Sequence, residues 1–249
     1  MLSNGNGDHA EIKSDLVIGY PHGGSVRTCF MNSMIAFREY DLAHRRRLAA
    51  TIDDRGLYIT SVRNKIVAKF LQLPPKCEWL MMIDTDQQFL PWIPYQLLES
   101  AEEIGAKVMS ALYFGIIDEI VPMWWTRNGD GDFCTVSDID TGTIQEIQGF
   151  GAGMFVCHRS VYEAMAERYS KDSWKWFAHD EMLFKGEMVH MGEDLCFCQR
   201  LTDMGIPMYG DGRVRIGHDK SQLITIESFM KTYKPREPGV APRETAVDF

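Results

Sequence analysis

The stretch Trp79-Leu80-Met81-Met82-Ile83-Asp84-Thr85-Asp86 decides the fold. Its unbroken apolar run predicts a strand buried on both faces, the kind found in sheets with helices on either side. Two carboxylates close the strand. Side chains alternate along an extended chain, so Asp84 and Asp86 are expected on one side, converging on one cation. Hard oxygen donors suit magnesium or manganese. In an open α/β sheet, ligands bind beyond the carboxyl ends of the strands, where these acids fall, and a metal-phosphate site is expected there. A turn in which Asp84 caps nearby amides would also use these residue types, so the surrounding chain has to arbitrate.

Upstream, Leu16-Val17-Ile18-Gly19 predicts a first strand, followed by the turn Tyr20-Pro21-His22-Gly23-Gly24 and by Ser25 as a helix cap. Val26, Phe30, Ser33, Met34 and Phe37 fall on one face of the helix that follows. After Gly56, Leu57-Tyr58-Ile59-Thr60 reads as the second strand, and Val62, Ile66 and Phe70 mark a helix stopped by Pro74-Pro75. Downstream of the acids, residues 94–104 predict a helix ended by Gly105, and 107–114 a strand. This alternation predicts a mostly parallel, nucleotide-binding type of sheet over residues 15–115.

Beyond Gly115 the pattern changes. Residues 121–148 read as antiparallel strands or substrate loops, and Gly149-Phe150-Gly151-Ala152-Gly153 leads into the strand Met154-Phe155-Val156-Cys157 and a helix over 160–169. Residues 171–191 carry Trp174, Trp176, Phe177 and Phe184 without a period, as a long binding loop would. Gly192-Glu193-Asp194 opens a helix with Leu195, Cys198 and Leu201 on its buried stripe. Short strands at 206–209 and 213–217 lead to His218, and residues 219–249, with Pro235, Pro238 and Pro242, read as an arm or tail.

At 249 residues, with 45% hydrophobic and 24% charged content, the chain suits one globular domain with a sizeable core. A net charge of −9 argues against a general nucleic-acid binder, so an anionic substrate would need local cations or a metal. Six scattered cysteines form no Cys-x-x-Cys pair and read as reduced core residues. Without an apolar leader or a run of membrane-span length, the cytoplasm is the expected compartment, the host's if the chain is phage-encoded.

Asp84-Thr85-Asp86 after a strand, Glu193-Asp194 opening a helix and His218 after a late strand together resemble the GT-A nucleotide-sugar-dependent glycosyltransferases. The resemblance covers most of residues 15–218. It implies an α/β, Rossmann-like single domain with a mixed central sheet flanked by helices. Residues 15–115 would be the nucleotide half, 116–218 the acceptor half and 219–249 an appended arm through which the chain would associate with itself.

By the same resemblance, Asp84, Asp86 and His218 would hold Mn2+ or Mg2+ on the donor diphosphate, Asp84 being shared with the nucleotide. Tyr20, Pro21 and Arg63 would contact the nucleotide, and Asp194 with Glu193 would face the acceptor hydroxyl. Gly151 and Gly153, followed by Arg159, would lie beside the sugar, with Trp174, Trp176 and Phe177 as an acceptor wall. The implied donor is a nucleoside-diphosphate sugar, UDP-sugar ahead of GDP-sugar, and the acceptor a protein, glycan or small molecule. No acid follows the strand assigned to 57–60, where many members recognise uracil.

Other classes fit less of the chain. Phosphatases with a similar Asp-x-Asp place it near the start of their core and usually want Thr or Val where Gln88 stands. Nucleotidyltransferases usually open with a glycine-rich loop containing a basic tail, which Pro21-His22-Gly23-Gly24-Ser25 lacks. A noncatalytic carbohydrate-binding module accounts for tryptophans and leaves the acids unexplained.

Overall fold

The computed structural model describes residues 13–45, 47–116, 119–129, 131–184, 187–220 and 223–232. The first half comprises β1 (Leu16–His22), α1 (Thr28–Tyr40) running into a π-helical turn, β2 (Leu48–Arg55), α2 (Ile59–Gln72), β3 (Trp79–Ile83), β4 (Gln87–Gln88), α3 (Ile93–Ile104) and β5 (Val108–Leu112). The short strands β6 (Phe114–Ile116), β7 (Ile120–Pro122), β8 (Trp124–Arg127), β9 (Phe133–Thr135), β10 (Ile144–Ile147) and β11 (Gly149–Phe150) follow. The remainder is β12 (Met154–His158), α4 (Arg159–Arg168), β13 (Asp180–Phe184), β14 (Glu187–Met191), α5 (Glu193–Asp203), β15 (Met208–Arg215), β16 (Gly217–Asp219), β17 (Leu223–Ile224) and α6 (Ile226–Thr232).

The central sheet has seven strands in the order β10-β15-β5-β12-β3-β1-β2. It is mixed: β1 runs parallel to both β2 and β3, and β15 parallel to β5, while β12 lies antiparallel between β3 and β5. Alternation along β3 divides the core into two layers. Trp79, Met81 and Ile83 meet Phe30, Phe37 and Leu97 from α1 and α3 on one face. Leu80 and Met82 meet Val62 and Phe70 of α2, Tyr162 of α4 and Phe197 of α5 on the other. Both faces of β3 are therefore fully covered, which is why its sequence is apolar throughout.

Several elements depart from the sequence reading. Arg27, not Ser25, caps α1, and it does so without a side-chain hydrogen bond. The second strand is β2, not residues 57–60; Leu57 and Tyr58 instead lead into α2 and are 95% and 75% exposed. β2 pairs only with β1 and covers alternate side chains at the sheet edge, so its sequence has no apolar run to announce it. The expected loop at 171–191 contains the hairpin β13–β14. The two short strands expected at 206–217 are one strand, β15, with β16 beyond it.

The expected arm also begins with structure. β17 pairs with β16, and Phe229 of α6 is buried, stacked on Phe114 at 4.6 Å between ring centroids. Residues 233–249, and the self-association expected of them, lie outside the described residues. Among the described residues, no helix is long and apolar enough to cross a membrane.

Candidate functional site

β3 ends at Ile83, and the chain turns at once, with the Gln87 amide donating to the Asp84 carbonyl at 3.1 Å. Both carboxylates line one cavity, and each has its own cationic partners. Asp84 Oδ1 accepts from Arg63 Nη2 at 2.7 Å, and the other arm of that guanidinium donates to Glu193. Asp86 Oδ2 lies 3.2 Å from His218 Nε2 and 3.0 Å from Lys220 Nζ.

Two cavities share Asp84 as a wall. The larger, about 630 Å³, is lined by Pro21, His22, Arg27, Gly56, Leu57 and Ile59, with Asp84, Thr85 and Asp86 on its floor. It occupies the carboxyl ends of β1 and β3, where the alternation of buried strands places a ligand. The smaller, about 230 Å³, is lined by Arg63, Asp84, Tyr113, Glu193, Asp194, His218 and Lys220 among others. Glu193 and Asp194 reach it because α5 opens there, and Asp194 Oδ1 accepts from the Leu195 amide at 2.8 Å.

The electrostatics follow from this clustering. Arg63 is buried under two carboxylates that hold its guanidinium charged. Burial raises the Asp84 carboxyl above its ordinary range, with Arg63 opposing. Burial, then the adjacent Glu193 charge, pushes Asp194 up to about 6. Asp86 is held below the usual carboxylate range, because its hydrogen bonds and charge interactions with His218 and Lys220 outweigh its burial.

Tyr113 is the hidden part of the site. Its hydroxyl accepts from the Gly153 amide at 3.1 Å, and its ring meets His218 edge-on at 5.2 Å. A Cβ on Gly151 would sit 2.2 Å from the Tyr113 hydroxyl oxygen, and one on Gly153 2.6 Å from its ring. These glycines, expected beside a sugar, admit the Tyr113 ring. Arg159 likewise serves the fold, its guanidinium donating to carbonyls of Phe70, Leu71, Leu73 and Cys77 at the end of α2.

The expected acceptor wall is not assembled. Trp176 is buried, its indole N–H donating to the Tyr162 carbonyl at 2.8 Å, and Phe177 stacks on Phe197 in the core. Trp174 is 42% exposed and lines neither cavity. Pro21 lines the larger cavity, whereas Tyr20 is half-buried against Phe30, and Arg63 faces the smaller cavity. Lys220, Tyr113 and Asp53 escaped the sequence reading. Asp53 lies near the carboxyl end of β2, with Oδ2 at 3.3 Å from His22 Nε2, so the second strand, correctly placed, carries an acid there.

The donor chemistry of Asp86 and His218 fits a divalent ion as a two-residue share of its shell. His218 Nδ1 is 2.8 Å from the Phe114 carbonyl, an acceptor only, so Nδ1 carries a proton. Nε2 and Asp86 Oδ2 then face each other across the position a cation would take. Asp84 is engaged by Arg63, and among the described residues no three His, Cys, Asp or Glu side chains gather as a metal cluster.

Comparison with protein-family models and with curated protein sequences gives no match. Solved structures do match. A197 from STIV superposes with a TM-score of 0.57 over 85% of this chain and 93% of that one, at 17% identity. GalNAc-T7, in a crystal structure with UDP, GalNAc and Mn2+, superposes with a TM-score of 0.53 over 84% of this chain, at 11% identity. This chain covers 44% of that one. The fold is GT-A-like. At these identities the likeness is one of architecture, and the site rests on the residues described above.

Proposed function

We propose that the protein is a divalent-metal-dependent glycosyltransferase that moves a sugar from a nucleoside-diphosphate sugar to an acceptor hydroxyl. The observation that carries this reading is the meeting of the two cavities at Asp84. A nucleotide-sized cleft at the strand ends opens beside an acid-lined chamber, an arrangement suited to a donor on one side and an acceptor on the other. The crystallised GalNAc-T7, with UDP, GalNAc and Mn2+, supports a nucleotide-sugar donor and a metal by architectural analogy. Asp53 beside His22 near the end of β2 favours UDP over GDP. We place the activity in the cytoplasm.

Asp86 and His218 would hold Mn2+ or Mg2+. Bound there, the ion would supply Lewis-acid stabilisation of the charge that develops on the leaving diphosphate. Asp194 accepts the proton of the attacking hydroxyl, a role for which its raised pKa of about 6 is better matched than an ordinary aspartate. Arg63, clamped between Asp84 and Glu193, orients both carboxylates and keeps the acids of the chamber from repelling one another. The aromatic wall of the chamber is Tyr113, seated by Gly151 and Gly153.

Incubation with a panel of UDP- and GDP-sugars in Mn2+, with products analysed by mass, tests the reading. Release of nucleoside diphosphate is expected, abolished in Asp86→Ala with the fold intact. A panel on which the folded protein cleaves no nucleotide sugar, or an Asp86→Ala variant fully active in chelator, overturns it.

A further inference from the structure

Outside the lining of either cavity, two imidazoles are brought together by the segment before β13 and by β14. His179 Nδ1 and His190 Nε2 lie 3.2 Å apart, with ring centroids 5.0 Å apart and planes 23° from parallel. The other nitrogen of His179, Nε2, makes a close hydrogen bond with Thr60 Oγ1 in the first turn of α2. Thr60 is buried while both imidazoles are exposed.

We propose that His179 and His190 form a binding site for a zinc-type transition-metal ion, with Thr60 as the outer partner that orients His179. Two imidazole nitrogens on a tetrahedral zinc, at bonds of roughly 2.0–2.1 Å, stand about 3.3 Å apart, and their ring centroids about 5.2 Å. The pair already stands at that separation, so little rearrangement is needed to admit the ion. A ligating histidine almost always passes its other N–H to an oxygen, which fixes the tautomer. Thr60 Oγ1 offers such an acceptor: in the tautomer that directs Nε2–H to it, the lone pair of His179 falls on Nδ1, facing His190.

Among the described residues no third His, Cys, Asp or Glu completes a cluster, so water fills the remaining positions. An all-imidazole protein shell favours zinc, nickel or copper over manganese, which separates this site from the carboxylate-bearing one at Asp86. A bound ion would tie the β13–β14 hairpin to the start of α2, whose Ile59 lines the larger cavity. The site stands independently of the sugar-transfer reading.

Calorimetric titration of the full chain with ZnCl2, in a buffer without chelating anions, tests it. A binding event is expected that His190→Ala removes, that Thr60→Val weakens by roughly 10–100-fold, and that His218→Ala, which deletes the imidazole beside Asp86, retains. Zinc should also slow amide hydrogen exchange in β13 and β14 of the parent and not of His190→Ala. His190 is exposed, so its replacement leaves the core intact. A parent chain that takes up no zinc, or a His190→Ala variant that binds it with parental affinity, overturns the site.

Discussion

At the scale of single residues, the site is a set of like charges brought together around one buried cation, and Asp194 carries the consequence. Its pKa is raised from an ordinary carboxylate value to about 6, so the folded state binds this proton more tightly than the unfolded chain does. The sign is opposite to that of a salt-bridged aspartate: the ionised carboxylate costs stability above pH 6, and the cost vanishes below the unfolded value near 4. Asp194→Asn should therefore raise the melting temperature at pH 8, by the equivalent of about 3 kcal/mol, and change it little at pH 4. Transfer should nevertheless fall by roughly a hundredfold or more, because the base is lost. In the parent, rate should decline as pH drops through about 6. Equal rates for parent and Asp194→Asn would remove this carboxylate from the mechanism. The acids were legible because they follow a strand or open a helix, and His218 because it comes just after a late strand. Tyr113 was not: its role depends on space left by two glycines far along the chain, and no local pattern records that.

At the scale of elements, strands covered on both faces were read correctly from apolar runs, and strands whose sequence lacks such a run were missed. β3, β5 and β12 announce themselves; β2, with Leu48 and Ile52 as its only bulky apolar residues, does not, and the hairpin β13–β14 has no clear alternation in Asp180–Phe184. Correcting β2 matters for function, since it puts Asp53 near a strand end. α2 also has a feature its sequence conceals, an arginine from elsewhere closing its C-terminus. Arg159 reaches from α4 to several carbonyls there, and its guanidinium lies 4.7 Å from the centre of the Phe70 ring. Arg159→Met would remove the guanidinium donor from the Leu71 and Leu73 carbonyls, while the Phe70 carbonyl keeps the Leu73 amide, at a cost of roughly 2 kcal/mol or more. Arg159→Lys should recover only part of it, because an ammonium lacks the planar fork. Chemical denaturation of the two variants measures both, and parental stability in Arg159→Met would show that water satisfies these groups instead.

At the scale of the whole molecule, the proposed reaction asks an acidic chain to gather a diphosphate. With a net charge of −9 and a cleft floored by Asp84 and Asp86, the field opposes the ligand unless a divalent ion accompanies it. Binding of nucleoside diphosphate and of metal should therefore be coupled, each tightening the other. Stability reports this directly, because a ligand that binds only the folded state at one hundred times its dissociation constant adds about 2.7 kcal/mol. For a chain of this size each kcal/mol raises the melting temperature by roughly 2–4 °C, so UDP with Mn2+ together should raise it by about 5–10 °C. UDP in chelator should give a small fraction of that shift, and Asp86→Ala should lose it even with Mn2+ present. Arg27, in the lining of the larger cavity, and Lys220, half exposed 3.0 Å from Asp86, are the groups that would let some diphosphate bind without metal. A full shift with UDP in chelator would mean that the protein's own cations, Arg27 and Lys220 foremost, carry the phosphate, and Asp86 would then act by holding Lys220 in place.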